Sequence, residues 1–166
     1  MSRFLTALLL TGLLSCQLKD KLHGKEKSEA DIKANVVDTT TATIKFDASK
    51  MFMFSKTASP ATLTSQELEQ IDGTLAVSVA DYNKTVEQDS KSLKIDFVRR
   101  LYKKQLVPVT NSQGEKEVWV NCFCDDFSIP WRNELLFVDD GGSCYFNLKI
   151  NLKTLKYYDF RVNGLG

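Results

Sequence analysis

Hydrophobic positions follow two rhythms along this chain, and the change from one to the other comes near residue 93. Between Thr64 and Val86 they recur every three or four residues, at Leu68, Ile71, Leu75, Val79, Tyr82 and Val86. That spacing draws one apolar stripe along an amphipathic helix. Thr64, with Glu67 three residues on, is a capping box that satisfies free backbone donors at the helix start. Gly73 falls nearly opposite the stripe, where glycine costs about 1 kcal/mol against alanine. Val77 also lies off the stripe, which predicts partial cover for the back of the helix.

The second rhythm is alternation. Thr41 to Phe46 predicts one half-buried strand before the helix, and Met51 to Phe54 reads as a further strand or a buried turn. After residue 93 the chain reads as antiparallel sheet. A strand near Val98 to Val109 reverses at Asn111–Gly114 into Glu117 to Cys124. A connection through Pro130, Trp131 and Leu135–Val138 leads to strands Cys144 to Leu152 and Tyr157 to Asn163. Pro108 should hold the first of these at an edge or a bulge. Successive strand side chains point to opposite faces. Val118, Val120, Cys122 and Cys124 therefore share an apolar face with Cys144, Phe146, Leu148, Ile150 and Leu152, and with Tyr158, Phe160 and Val162. The helix stripe is the partner for that face. The expected fold is α+β, one amphipathic helix on a curved antiparallel sheet of four to five strands. By shape this order is similar to a cystatin-like roll.

The same parity places Trp119, Asn121, Phe123, Tyr145, Asn147, Tyr157, Asp159 and Arg161 on the other face. Aromatics interleaved with amides and an arginine are the composition of a recognition surface. Trp119, Phe123, Tyr145, Asn147, Tyr157 and Arg161 are accordingly the candidate ligand-binding residues. The competing expectation is that the first strand, the Met51–Phe54 segment or a second copy of the chain covers this face.

The amino terminus changes the picture of where the domain works. Arg3, an apolar run from Phe4 to Leu14, and a small residue before Cys16 form a secretory signal. The run is too short to span a hydrocarbon core of roughly 30 Å. Leu13-Leu14-Ser15-Cys16 resembles the lipobox of bacterial lipoproteins. That resemblance implies cleavage after residue 15 and acylation of Cys16 with palmitate-like chains. Two or three chains hold a protein firmly to a membrane. Gln17, in place of the Asp that commonly retains lipoproteins at the inner membrane, favours the outer membrane. Residues 16–38 carry mixed charge and little to bury, as a solvated tether would. About 20 flexible residues span on the order of 25 Å. Residues 39–166 remain for a single domain.

Loss of Arg3 with the signal leaves 21 basic and 21 acidic side chains. A neutral chain has no electrostatic case for nucleic acid. The single histidine, His23, sits in the tether, so histidine-dependent catalysis has no residue to use, and no phosphate loop or nucleophile elbow is present. Asp125-Asp126 and Asp139-Asp140 read as turns that bond their own backbone rather than as calcium or catalytic carboxylates. No enzyme activity, cofactor or metal is expected.

Three cysteines remain in the domain, and an envelope compartment permits disulfides. A bridge from Cys122 or Cys124 to Cys144 leaves the third cysteine unpaired. The chemical alternatives are a redox pair or a thiolate metal site, which lacks a fourth ligand. Gln105–Val109 does not supply the glycine of the Gln-x-Val-x-Gly loop of cystatin inhibitors, which counts against inhibition of cysteine proteases. Residues 105–124, the segment DDGGSCYFNLKINL and the segment YYDFRVNG together look like a group of small bacterial envelope proteins with no known activity. The resemblance covers about the last sixty residues and implies no functional residue. The expected function is a non-enzymatic, lipid-anchored envelope module that binds an envelope protein or glycan. The alternatives are a thiol-active protein using Cys122, Cys124 and Cys144, or a purely structural lipoprotein.

Overall fold

The computed structural model describes residues 38–165. The signal, Cys16, His23 and residues up to 37 lie outside them. The helix α1 spans Ser65–Thr85. Thr64 Oγ1 accepts from the Glu67 amide at 3.2 Å, and Glu67 Oε2 accepts from the Thr64 amide at 2.8 Å. Glu67 also takes a hydrogen bond from Lys116 Nζ at 2.5 Å, pinning the first turn to the sheet. Ile71, Leu75 and Val79 are buried, as the stripe requires. Val77, by contrast, is exposed: the back of the helix is open, and Gly73 has nothing within 4 Å of where a Cβ would stand.

Six strands make one open, mixed sheet: β1 (Thr41–Thr43), β2 (Ser59–Pro60), β3 (Lys103–Thr110), β4 (Lys116–Phe123), β5 (Tyr145–Asn151) and β6 (Lys156–Val162). β3 to β6 form the antiparallel meander, in the order β3-β4-β5-β6. β1 and β2 share the other edge of β3. β1 runs parallel along 104–106, and β2 runs antiparallel along 109–110. The parallel pairing follows from connectivity, because α1 lies between β1 and β3 and carries the chain back to the end at which β1 began. β3 begins at Lys103 rather than near Val98, and residues 98–101 form an exposed turn instead of its start. The Pro108 carbonyl accepts from the Ala61 amide, so the proline's donor-less nitrogen faces the same edge. That edge is interrupted there, between β1 and β2, and no ladder bond is lost.

The sheet is covered on both faces. On the helix side, Leu106, Val118, Val120, Cys122, Phe146, Leu148 and Ile150 pack with Ile71, Leu75, Val79, Ile95 and Tyr102. On the other, Val107, Val109, Trp119, Phe123 and Tyr145 pack with Ala42, Ile44, Phe46, Met53, Trp131 and Leu136. Met51–Phe54 is neither strand nor plain turn; a 3-10 helix over Ala48–Met53 lays it across this second face.

Parity fails once. Between the pairs Lys149–Tyr158 and Asn147–Arg161, β6 has one residue more than β5, a bulge at which Asp159 adopts φ 52°. The extra residue brings Tyr157 to the helix face with Phe160 and Val162, and sends Tyr158 to the face of Lys149. Strict alternation assigns those two tyrosines the other way round.

Candidate functional site

The outer face carries three of the four aromatics that alternation assigns to it, and all three are covered. Trp119 is 7% exposed, and Phe123 and Tyr145 are buried. Asn147 is half-buried, Arg161 is exposed, and Tyr157 lies on the opposite face with its hydroxyl donating to Asp81 Oδ2 of α1. The six candidates therefore do not form one open surface. Of the two expectations for this face, cover by the amino-terminal segment describes part of what is found. The connector between β4 and β5 supplies the rest.

Gln105 fastens that connector. It is fully buried on β3, and its side chain uses its whole hydrogen-bonding capacity. Nε2 donates to the carbonyls of Trp131 and Glu134 at 2.5 Å each, while Oε1 accepts from the Leu136 amide at 3.0 Å and from Asn121 Nδ2 at 3.1 Å. Asn121 Nδ2 also donates to the Leu136 carbonyl at 2.8 Å. Trp131, so positioned, meets Phe123 edge to face, and Arg132 lies over its indole.

What the cover exposes is a different set of aromatic rings. Phe137, 57% exposed, lies 6.0 Å from the Trp119 ring on one side and 5.8 Å from Phe52 on the other. Phe52, from the 3-10 helix, is 71% exposed. Two separate covering segments thus converge to place adjacent phenylalanines in solvent above the buried indole. Lys149 Nζ, 3.0 Å from Asp159, lies over the rings of Phe54 and Tyr158 on the same face. Burial and a hydrogen bond to Glu117 push the Tyr158 hydroxyl above its ordinary range, so it stays a neutral phenol. Phe127 forms a further exposed ring, stacked on Tyr145 at 6.0 Å. Phe52, Phe127 and Phe137 are absent from the candidates that alternation yields, because they sit in segments without a period.

The cysteines divide as one bridge and one thiol. Cys124 and Cys144 are disulfide-bonded with Cα atoms 5.1 Å apart, and the Cys124 amide also donates to the Cys144 carbonyl at 3.0 Å. Cys122 is fully buried on the helix side, and burial pushes its thiol well above the usual range. A thiol held protonated is a poor nucleophile. Asp125 and Asp126 accept from the amides of Phe127 and Ser128, two residues on, and Asp126 also pairs with Lys103. Among the described residues no group of three or more His, Cys, Asp or Glu side chains is arranged to hold a metal, and no helix is long and apolar enough to cross a membrane.

Protein-family models, curated proteins and solved structures were compared with the chain, and none matched.

Proposed function

We propose that this protein is a lipid-anchored module of the bacterial cell envelope that binds a protein partner through Phe52 and Phe137. The observation that carries the reading is the convergence of these two rings, 5.8 Å apart and both largely in solvent. Exposing two large apolar side chains side by side has a cost in water that a fold has no reason to bear. Buried behind them, Trp119 gives the pair a rigid footing, the setting in which aromatic residues dominate binding energy. The rings are tilted by 51°, a ridge rather than a flat platform, which suits an apolar protein side chain better than the face of a sugar.

Attachment to the envelope is supported by the apolar run and Leu13-Leu14-Ser15-Cys16. The bridge between Cys124 and Cys144 fits an oxidising compartment. The Cys122 environment supports a structural thiol rather than a redox one.

The test is a photo-crosslinking amino acid at position 137 in the lipidated chain, activated in native envelopes. One specific adduct, absent when the crosslinker is placed at exposed Thr154, supports the reading. Equal labelling from both positions contradicts it.

A further inference from the structure

The loop from Ile95 to Tyr102 is the most exposed apolar segment of the fold outside the aromatic ridge. Val98 is 97% exposed, Leu101 74% and Phe97 43%. Asp96 builds the turn, its Oδ1 accepting from the amides of Val98 at 2.9 Å and Arg99 at 3.0 Å. Arg100 reaches back to Ser143 Oγ at 3.2 Å, and Tyr102 donates to the Ser143 carbonyl at 2.7 Å. A seated base, on which the Phe97 ring packs edge to face against Tyr102 at 5.3 Å, thus holds Val98 and Leu101 outward. Lys94, Arg99, Arg100, Lys103 and Lys104 flank them along the chain, against Asp96 within the segment and Asp72 in the adjoining depression. Lys103 and Lys104 are occupied by Asp126 and Asp72. Arg99, although 3.5 Å from Asp96, remains largely in solvent, and Arg100 is exposed.

The loop lies beside the point at which the described chain enters the domain. The described chain enters the domain at Asp38–Thr40, and the Thr40 carbonyl accepts from the Lys104 amide at 2.7 Å. Thr40 lines the same surface depression as Phe97, Arg100 and Leu101. The first described residues therefore lie beside the loop.

We propose that the Phe97–Leu101 loop seats the domain on an anionic phospholipid bilayer, with Val98 and Leu101 entering the interface and Arg99 and Arg100 meeting headgroup phosphates. The inference rests on the lipid anchor of the proposed function. Neither an apolar tip nor a pair of arginines holds a domain to a membrane alone. The attraction of basic residues to an anionic surface orients a domain that its acyl chains already keep there.

The test uses the full lipidated chain carrying Val98→Cys, labelled with an environment-sensitive fluorophore. Cys122 is buried and Cys124 and Cys144 are bridged, so among the described cysteines the introduced one alone reacts. The protein is placed in vesicles of phosphatidylglycerol and phosphatidylethanolamine, or of phosphatidylcholine alone. The expected result is blue-shifted emission, quenched by lipid-borne quenchers, in the anionic vesicles. The shift is lost with Arg99→Glu, which leaves the Arg100–Ser143 bond of the loop base in place, and is absent for a dye at Thr154→Cys on the β5–β6 turn. Flotation of the chain with the vesicles while the dye at position 98 emits as in water overturns the inference and leaves the anchor standing. Failure to float at all removes the anchor, and the inference with it.

Discussion

Gln105 and Asn121 stand directly opposite each other on β3 and β4, and Asn121 Nδ2 donates to Gln105 Oε1 at 3.1 Å. The pair sits inside an otherwise apolar face because it serves the backbone of the connector rather than the sheet. Gln105→Met keeps the side-chain volume but strands the Leu136 amide and the carbonyls of Trp131 and Glu134. The expected loss is about 2–4 kcal/mol, several neutral hydrogen bonds with buried partners left unmade. Equilibrium denaturation measures it, and hydrogen exchange should show residues 131–136 opening first. A change below about 0.5 kcal/mol, the size of an ordinary surface substitution, would mean the connector is held by packing alone.

The bridge between Cys124 and Cys144 closes a loop of 20 residues. In the chain-entropy model that is worth about 3 kcal/mol, which Cys124→Ser with Cys144→Ser should remove in a denaturation experiment. Thiol titration supplies an independent check. The native mature protein should give no reactive thiol and the denatured one a single thiol, Cys122. A second thiol would contradict acylation of Cys16; two further ones would contradict the bridge.

Much of this architecture is written in short-range pattern. Thr64 and Glu67 mark the helix start, the Leu68-to-Tyr82 stripe marks its buried face, and strict alternation assigns β4 and β5 correctly. The Gln105–Asn121 pairing is not legible: the turn spans 111–115, one residue more than Asn111–Gly114, and that residue sets Thr110 opposite Lys116 and the two amides face to face. Two further features escape such reading for physical reasons. The bulge in β6 uses Asp159 at positive φ, with no glycine to announce it. Cover of the outer face by Met51–Phe54 is among the expectations, but Trp131 and Leu136 lie in a connector whose conformation is set by what it packs on and not by any period of its own. The exposed pair Phe52 and Phe137 belongs to the same segments, so the ridge is invisible until they are placed.

Stability should fall in acid. Asp38 holds its carboxyl at about 2, down from 3.8. Burial works to raise it, and the Thr40 amide and hydroxyl, each 2.7 Å from Oδ1, help outweigh that. Glu67 is also lowered from 4.5: burial again opposes, and bonds from Lys116 and Thr64 win. A folded-state value below the unfolded one stabilises fully above the unfolded value and is lost as pH falls through the folded one. Denaturation midpoints should therefore be flat above about pH 5 and decline toward about pH 2, with a shallower decline in Asp38→Asn. An equal decline in the variant would assign the acid sensitivity elsewhere.

The central claim is that the aromatic surface of this domain lies in Phe52 and Phe137, with Trp119 as buried footing. One paired comparison tests it: melting and partner capture for Trp119→Ala beside Phe52→Ala with Phe137→Ala, each in the lipidated chain. Trp119→Ala should cost about 3–5 kcal/mol, as for a packed indole. The double phenylalanine variant should stay within about 1 kcal/mol of the parent, two surface substitutions, and lose capture of the envelope partner. Undiminished capture by the double variant, or a Trp119→Ala protein that melts like the parent, would contradict the account.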